Sequence, residues 1–505
     1  MISSRRLALP DFVRLHASGR PNEVALQDAA SGQSLSYSEL DRRIGAALAI
    51  LLSLRLQQGD RIAALSRNSV ELVILQLACA RGGMIFVPLN WRLNRAELQL
   101  LIADCEPALI FGDESLELLG SGELPLFESN NFAKMMLSAE PAANAVTSAH
   151  LPSLMLYTSG STGRPKGVLL SELNLLATAV NFSIIGEVTA NSAFLVDVPT
   201  FHVIGMVTNV RPALMMGGKV VVSRGFDAAV TLERLAEPEL AITHYFCVPQ
   251  IAMMLRSDAS FDPNKLRSLR AIFTGGAPHP AENIRQWLDD DILAVDGYGM
   301  TEAGTLLGMP LDRALIASKA GSAGLLPPTI EHRITGPSGE PVAPGGIGEL
   351  LVRGPNLFEG YWRNPDATAD AFTADGYFRT GDLVRRDDDG FFFIVDRRKD
   401  MFISGGENVY PAEIEAALRS HPEVDEAAVV GVPDPRWGEV GHAFVVLRTG
   451  GKADEEELRL ACEAMLARYK LPRRIQIIEQ MPRTGSGKVA KPELRTMAAA
   501  SAGEE

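Results

Sequence analysis

Short apolar bursts alternate with helical repeats along most of the chain. Apolar residues recur at helical spacing over residues 97–105, and Pro107 separates them from a buried strand predicted at 108–111. Further runs beside glycine predict strands at 219–222, 271–273 and 349–352. Strands that alternate with helices are typical of a layered α/β protein.

The pattern becomes more compact after residue 396. A strand predicted at 391–395 ends in the charged run DRRKD at 396–400. Beyond it, Pro411 opens a predicted helix, as proline commonly does at a first helical position. Strands are predicted at 427–432, 443–447 and 475–478. We therefore predict a large domain over residues 1–395, a joining segment at 396–400 and a small α/β domain over 401–505.

Composition narrows the classes of function. The 505 residues are too many for one hydrophobic core, which predicts at least two domains. A formal net charge of −14 argues against a nucleic-acid partner, because phosphate neutralisation needs an excess of Lys and Arg. The longest apolar runs are too short for a membrane span, and we expect no secretory signal. Four widely separated cysteines make no paired metal-ligand spacing, so we expect a reduced, cytoplasmic setting.

The most informative stretch is YTSGSTGRPKG at 157–167, which follows the apolar run 154–156. Its glycines allow backbone amides to approach a polyanion, its hydroxyls are donors, and Lys166 adds positive charge. These features suit a triphosphate. A flexible Ser/Gly linker is the alternative, but linkers lack a preceding buried strand and a Pro-Lys-Gly end.

Neither lysine-containing glycine loop of this chain is a Walker P-loop. That motif requires G-x-x-x-x-G-K-[ST], whereas Lys166 lies between Pro165 and Gly167. The second near match ends at Lys488, with Pro482 in place of the first glycine and Val489 after the lysine. The chain is therefore not predicted to be a P-loop NTPase.

Seven further motifs follow that loop in a fixed order. They are VPTFH at 198–202, TGGAP at 274–278, GYGMTE at 297–302, YFRTGDL at 377–383, DRRK at 396–399, SGGEN at 404–408 and PRTGSGK at 482–488. With them the chain resembles the adenylate-forming superfamily, and within it fatty-acid and 4-coumarate CoA ligases. The resemblance covers nearly the whole chain. It implies an N-terminal adenylation domain of several layered subdomains that holds the ATP and acyl sites, and a mobile C-terminal lid.

The resemblance also implies a nucleotide site. Glu302 is expected to hold Mg²⁺ on the phosphates, since a hard cation prefers carboxylate oxygen. Tyr298 and the turn at 276–278 would enclose the adenine, and Asp382 would accept hydrogen bonds from the ribose hydroxyls. Arg397 would add a ribose contact or steady that region. The full predicted ATP and AMP set is Thr158, Ser159, Gly160, Ser161, Thr162, Gly163, Lys166, Gly276, Ala277, Pro278, Gly297, Tyr298, Gly299, Met300, Thr301, Asp382, Arg397 and Lys488.

Lys488 is the predicted catalytic lysine of the lid. The reaction brings an anionic carboxylate against an anionic α-phosphate, so a cation must offset their repulsion. The other predicted catalytic residues are Glu302, His202, Thr158 and Lys166. In a second step, coenzyme A would attack the acyl-adenylate after the lid rotates about Lys399. Its tunnel is expected to use Ser404, Gly405, Gly406 and Trp437, and basic residues near the C-terminus suit its phosphates.

The predicted acyl pocket is largely apolar. It comprises Phe201, His202, Val203, Ile204, Met206, Phe246, Gly275, Gly299 and Met300. This composition favours a fatty or aryl acid, and neither the aspartate typical of amino-acid activators nor the arginine of malonate ligases is present. Asp296 stands immediately before Gly297, where malonate ligases usually carry the arginine. The sequence therefore does not determine the chemistry of the pocket mouth. Arg211, expected on one helical stripe with residues 204, 207 and 208, would hold a polar substrate tail or form a structural ion pair.

We therefore predict a magnesium-dependent ligase that converts a carboxylic acid, ATP and coenzyme A to acyl-CoA, AMP and pyrophosphate. One alternative is a stand-alone enzyme that loads a separate carrier protein. Another is a non-catalytic acyl- or nucleotide-binding regulator, although Lys166, Glu302, Asp382 and Lys488 are all present. We expect no nucleic-acid partner and no membrane span, and a homo-oligomer is compatible with the sequence.

Overall fold

The computed structural model describes residues 11–119, 126–143, 148–158, 165–277, 279–397, 400–404, 407–434, 437–463, 465–466, 468–484 and 487–501. The chain divides into two compact units. The first is Met1–Glu331 with Val352–Phe378, and the second is His332–Leu351 with Arg379–Glu505. The predicted domain boundary at residue 395 and the hinge at 396–400 stay predictions, and residues 398 and 399 lie outside the described ranges.

The strands are, in chain order, β1 (Val24–Asp28), β2 (Ser34–Ser36), β3 (Arg61–Leu65), β4 (Ile85–Pro88), β5 (Leu109–Gly112), β6 (Leu126–Glu128), β7 (Pro152–Thr158), β8 (Lys166–Ser171), β9 (Ala193–Val196), β10 (Lys219–Val222), β11 (His244–Cys247), β12 (Ala271–Thr274), β13 (Ala294–Met300), β14 (Gly304–Gly308), β15 (Glu331–Thr335), β16 (Ile347–Arg353), β17 (Gly360–Tyr361), β18 (Phe378–Arg386), β19 (Phe392–Arg397), β20 (Phe402–Ser404), β21 (Glu407–Val409), β22 (Val424–Asp434), β23 (Gly438–Leu447) and β24 (Arg474–Ile477).

The α-helices are α1 (Phe12–Gly19), α2 (Tyr37–Ser53), α3 (Val70–Gly82), α4 (Arg95–Cys105), α5 (Ser129–Ser138), α6 (Glu172–Ile185), α7 (Arg211–Met216), α8 (Ala228–Ala236), α9 (Pro249–Ser257), α10 (Ala281–Asp289), α11 (Arg313–Ser318), α12 (Pro365–Asp370), α13 (Pro411–Arg419), α14 (Glu455–Glu463) and α15 (Lys491–Ser501). None of the helices in the described ranges combines the length and apolar content that a bilayer crossing requires.

The first unit is built on two large sheets. One has the strand order β14-β13-β12-β11-β9-β10-β1-β2, and the other β17-β8-β7-β4-β3-β5-β6. The central strands of both sheets are parallel and carry near-continuous apolar runs, because helices cover both faces of such sheets. Helix α4 begins with a capping box between Asn94 and Glu97, which satisfies its first free amides. The layered α/β fold predicted from the sequence is confirmed.

The second unit contains two smaller sheets. The first has the order β15-β16-β18-β19, and the second β21-β20-β23-β22 with β24 parallel to β23. Helix α13 starts with Pro411 at its first position, as expected, and packs Ile414 and Leu418 into a core that includes Phe402 and Val429. The expected strands at 427–432 and 443–447 lie within the long β22 and β23 ribbon.

Candidate active site

The predicted phosphate loop joins two paired strands. Strands β7 and β8 are antiparallel, and their register places Thr158 opposite Lys166 and Tyr157 opposite Gly167. This pairing returns the Lys166 backbone to Thr158, whose hydroxyl lies 3.5 Å from the Lys166 carbonyl oxygen. The predicted residues Ser159, Gly160, Ser161, Thr162 and Gly163 lie outside the described residues.

Lys166 and Glu302 meet at a tyrosine that sequence reasoning did not identify. Strand β17 pairs with β8, with Tyr361 opposite Val168. The Lys166 ammonium nitrogen lies 4.8 Å from the centroid of the Tyr361 ring, within cation–π range. The Tyr361 hydroxyl donates to Oε1 of the buried Glu302 at 3.0 Å. The only feature of the sequence that marks Tyr361 is the aromatic pair Tyr361-Trp362 after Gly360. Such a pair is equally typical of ordinary packing.

The surroundings of Tyr361 keep it protonated. Burial of the phenol, together with the negative charge and hydrogen bond of Glu302, raises the pKa of Tyr361 well above its usual value. The phenol therefore remains a donor at neutral pH and orients the Glu302 carboxylate. The backbone amide of Phe358 also donates to the Glu302 carbonyl at 2.8 Å, which fixes the peptide at this residue.

The donor set around Glu302 fits a magnesium ion shared with phosphate. A carboxylate has about four lone-pair positions, and the hydrogen bond from Tyr361 occupies one of them. Mg²⁺ is usually held by one or two carboxylates together with substrate phosphates and water. Within the described residues, no cluster of three or more His, Cys, Asp or Glu side chains could hold a metal without such help.

Two neighbouring strand ends bring the predicted adenine residues together. Strands β12 and β13 are parallel, with Thr274 opposite Asp296, so the turn after β12 lies beside the Gly297–Met300 part of β13. A Cβ placed on Gly275 would lie 3.4 Å from the Gly297 carbonyl oxygen, which shows how closely the two segments approach. Gly276 has φ +82°, a conformation that favours glycine. Tyr298 is half-buried, while Pro278 lies outside the described residues.

A buried polar network joins these two strands behind the edge. The Thr274 hydroxyl lies 3.1 Å from Oδ1 of Asp296 and 2.9 Å from Nδ1 of His279. The His279 amide approaches Oδ2 of Asp296 at 3.4 Å. Burial raises the pKa of Asp296 to about 7 and lowers that of His279 to about 4. The sequence did not determine what Asp296 does near the predicted pocket mouth. In the structure its side chain belongs to this buried network.

Several predicted acyl-pocket residues converge in the first unit. Phe246 stacks on Phe182 with ring centroids 5.6 Å apart and an interplanar angle of 17°. A Cβ on Gly275 would lie 3.2 Å from the Phe246 ring, and one on Gly276 would lie 3.6 Å from Cδ1 of Ile204. Of the other predicted residues, Phe201 and Met206 are buried.

The His202 region departs from the sequence prediction in one respect. The rings of Phe201 and His202 are 4.5 Å apart, and a π-helix runs over Ile204–Thr208. Helix α7 begins separately at Arg211, so the predicted continuous helical stripe over 204, 207, 208 and 211 is wrong. The wider π turn and the break before α7 change the spacing along this segment.

Arg211 forms a structural ion pair. Its guanidinium nitrogens donate to both carboxylate oxygens of Glu172 at 2.8 Å, and the Arg211 side chain is buried. A bidentate pair of this kind commits the planar fork of the arginine to its partner. The structural alternative for Arg211 is thereby confirmed over a role in holding a substrate tail.

The second unit carries the predicted ribose residues. Asp382 is buried on β18 directly after Gly381, which has φ +71°. Its backbone amide donates to the Thr380 hydroxyl at 3.1 Å. The register of β18 and β19 places Asp382 opposite Arg397, so the two predicted ribose contacts are cross-strand neighbours in the backbone. The predicted hinge residue Lys399 lies outside the described residues.

Two residues of the predicted coenzyme A tunnel also lie together. Ser404 is paired between β20 and β23 with Gly438, the residue that follows Trp437 in the chain. Trp437 is 44% exposed, and its backbone amide donates to Oδ1 of Asp434 at 2.9 Å. The other two predicted tunnel residues, Gly405 and Gly406, lie outside the described ranges.

Lys488 lies on an exposed turn of the second unit. The Thr484 amide donates to the Lys488 carbonyl at 2.7 Å, and an isolated antiparallel bridge pairs Arg483 with Val489. Helix α15 begins three residues after Lys488. The phosphate-loop strands β7 and β8 belong to the first unit.

The glycine-rich segment between β7 and β8, the buried Glu302 near Lys166 and the second unit that carries Lys488 favour an enzyme that activates an acid with ATP. Comparison with known protein families supports this class. The model for AMP-binding enzymes matches residues 13–362, and that for the C-terminal domain of AMP-binding enzymes matches residues 413–488. The chain belongs to the AMP-binding enzyme family.

Relatives span nearly the whole chain. A feruloyl-CoA synthase of Amycolatopsis sp is 39% identical over 470 residues, covering 92% of this chain and 94% of the relative. An indoleacetate–CoA ligase of Aromatoleum aromaticum is 36% identical, with 98% of each chain covered. ATP-bound MatB from Rhodopseudomonas palustris is 32% identical with a TM-score of 0.88, covering 96% of this chain and 98% of that one.

Relatives of this kind confirm the prediction of an AMP-forming acid–thiol ligase that activates an acid to its acyl-CoA. A solved structure of o-succinylbenzoate CoA synthetase (MenE) from Bacillus subtilis contains the acyl-adenylate intermediate. It is 28% identical, has a TM-score of 0.86, and covers 97% of this chain and 98% of that chain.

Proposed function

We propose that this chain activates an aryl-substituted carboxylic acid as the acyl-adenylate and transfers the acyl group to coenzyme A. The observation that carries the choice of substrate is the Phe182–Phe246 stack beside Gly275. Aromatic rings prefer offset-stacked or edge-to-face partners, and a planar acyl group can meet the half-buried Phe246 in this way. Glycine at 275 keeps the adjoining edge of that ring clear of a side chain.

Charge around the pocket supports the same choice. Arg211 is committed to Glu172, so it offers no free cation for a second carboxylate on the substrate. The two relatives at 39% and 36% identity are named for feruloyl and indoleacetate, and both acyl groups carry an aromatic ring. A fatty acid is the competing substrate class, because a long-chain-fatty-acid–CoA ligase of Mycobacterium tuberculosis is 33% identical.

In the proposed first step, the substrate carboxylate attacks the α-phosphorus of ATP and displaces pyrophosphate. Lys166 and the hydroxyl loop bind the β- and γ-phosphates. Glu302 would hold a magnesium ion, which would supply positive charge to the leaving phosphates. MenE from Bacillus subtilis has been solved in complex with ATP and a magnesium ion, which supports the use of this metal. Lys488 donates to the attacking oxygen and the α-phosphate, and so stabilises the charge that develops in the transition state.

In the proposed second step, the thiolate of coenzyme A attacks the acyl carbonyl carbon, and the bond to AMP breaks. The thiolate is the nucleophile, so the thiol proton leaves before or during attack. Ser404 and Trp437 line the approach of the pantetheine arm, with Gly405 and Gly406. Rotation of the second domain about Lys399 exchanges the Lys488 face for this one between the two steps.

The decisive experiment separates the two steps in Lys488→Ala. Acid-dependent ATP–pyrophosphate exchange is expected to fall about 10²–10³-fold, since one transition-state donor is removed. Thioester formation from isolated acyl-adenylate and coenzyme A should stay within about twofold, because the lysine is not used there. Lys452→Ala, which alters an exposed lysine of the same unit, is the matched control. Parental exchange in Lys488→Ala would refute the assignment.

Substrate and acceptor are tested on the unaltered enzyme. Aryl, medium-chain fatty and dicarboxylic acids are compared by kcat/KM in pyrophosphate exchange. The highest value is expected for an aryl acid, and a higher value for the fatty acid would overturn the choice of substrate. Coenzyme A and a carrier protein are then offered as thiol acceptors, with thioester expected on coenzyme A.

A further inference from the structure

The turn that carries Lys488 is held by an unusual side-chain contact. Backbone hydrogen bonds close its base, from the Ala490 amide to the Pro482 carbonyl and from the Thr484 amide to the Lys488 carbonyl. At its tip, Gly487 has φ +81°, and a Cβ there would meet no atom within 4 Å. The Gly487 amide also donates to the Thr484 carbonyl at 2.8 Å, so the described backbone bonds of this turn run between Thr484 and the two residues Gly487 and Lys488.

Arg483 reaches this peptide from the opposite strand of the turn. Its Nη1 donates to the Gly487 carbonyl at 2.9 Å. Its Nη2 lies 2.7 Å and 2.6 Å from the two carboxylate oxygens of Glu426. Glu426 belongs to the long strand β22, where it is paired with Val446 of β23. The guanidinium therefore ties the peptide before Lys488 to the central ribbon of the second unit.

We propose that Arg483, oriented by Glu426, is a positioning residue that aims Lys488 during adenylate formation. This inference rests on the proposed role of Lys488. A guanidinium presents several donors in a rigid plane, so it can hold a carbonyl and a carboxylate at once. A lysine has one flexible ammonium group and cannot reproduce both contacts in the same geometry.

Exposure of the pair favours positioning over stabilisation. The side chains of Arg483 and Glu426 are 29% and 34% exposed. Ion pairs that are open to solvent contribute little to stability, because water screens their attraction. Loss of Arg483 should therefore change where Lys488 points while the second unit remains folded. Activity and thermal stability are expected to respond differently.

The test combines Arg483→Ala with Lys488→Ala in the full chain. Arg483→Ala alone is expected to slow acid-dependent pyrophosphate exchange by about tenfold or more, since small misplacement of a catalytic group costs up to about 10²-fold. Thioester formation from isolated acyl-adenylate should be unchanged. In the Lys488→Ala background, Arg483→Ala should have no further effect on exchange, because the group that it positions is absent.

Two more variants refine the result. Arg483→Lys is expected to resemble Arg483→Ala in exchange. Arg459→Ala removes a partly exposed arginine that pairs with Glu456 at 3.4 Å on α14, and it should leave both half-reactions and Tm unchanged. This control measures the effect of losing a surface ion pair from the same unit.

The possible failures are distinct. An equal Arg483→Ala effect with and without Lys488 would overturn the inference alone, as would an equal loss in both half-reactions or a marked fall in Tm. Parental exchange in Lys488→Ala would overturn the proposed function, and this inference with it.

Discussion

Tyr361→Phe should weaken the use of magnesium by this enzyme without disturbing Lys166. The change removes only the hydroxyl that donates to Oε1 of Glu302 at 3.0 Å. The ring that lies 4.8 Å from the Lys166 ammonium nitrogen is kept. Tyr361→Leu removes both contacts and is the natural companion variant.

The size of the effect follows from the hydrogen bond. A hydrogen bond to a charged group contributes about 1.5–3 kcal/mol, which corresponds to about 10–100-fold in an equilibrium constant. Loss of a residue that orients a metal-binding carboxylate typically costs a similar factor. Because Glu302 is only 8% exposed, water is a poor substitute for the lost donor. We therefore expect the magnesium concentration for half-maximal exchange to rise about tenfold or more in Tyr361→Phe.

The assay is a magnesium titration of pyrophosphate exchange at saturating acid and ATP. Calorimetric titration of ATP in the presence of magnesium, without the acid, gives a second readout that does not depend on turnover. Tyr361→Leu should lose a further few-fold, in line with about 0.5–2 kcal/mol for a cation–π contact. Tyr377→Phe removes a 3.1 Å hydrogen bond to Glu331 and should leave the magnesium dependence unchanged.

Glu302→Gln identifies the route of the effect. If Tyr361 acts by orienting the Glu302 carboxylate, Tyr361→Phe should add almost nothing in the Glu302→Gln background. A full tenfold effect in that background would refute the reasoning. So would a lower maximal rate in Tyr361→Phe with an unchanged magnesium dependence.

Two further predictions concern buried charge in the first unit. Glu172→Gln leaves the buried Arg211 without an anionic partner and should lower the free energy of unfolding by about 3–5 kcal/mol, whereas joint replacement of both residues by apolar ones should cost much less. Equal losses in thermal unfolding of the single and double variants would contradict this. Asp296, with its pKa raised from 3.8 to about 7, keeps a proton in the folded state between those values, so its contribution to stability falls as pH rises through about 7. Asp296→Asn cannot ionise, and its Tm relative to the parent should therefore increase from pH 5 to pH 8; a constant difference would exclude this role of Asp296.

The local parts of the site could be predicted from sequence. The strand before the predicted phosphate loop and the return of the chain at Lys166 depend on residues close in sequence, and β7 and β8 pair directly with Thr158 opposite Lys166. The same holds for the glycine turn after β12. The apolar runs also predicted β10 and β12, because buried parallel strands require them.

Only the tertiary structure determined the side-chain contacts between residues that are far apart in the sequence. Tyr361 meets Lys166 because β17 pairs with β8 in one register, and it meets Glu302, 59 positions away, because the Phe358 amide donates to the Glu302 carbonyl; no periodicity encodes either contact. The partners of Arg211 and Arg483 were hidden for the same reason, since a charged residue does not reveal which distant carboxylate it will meet. Backbone spacing is a property of a few residues, whereas a side-chain contact depends on how whole sheets and helices pack.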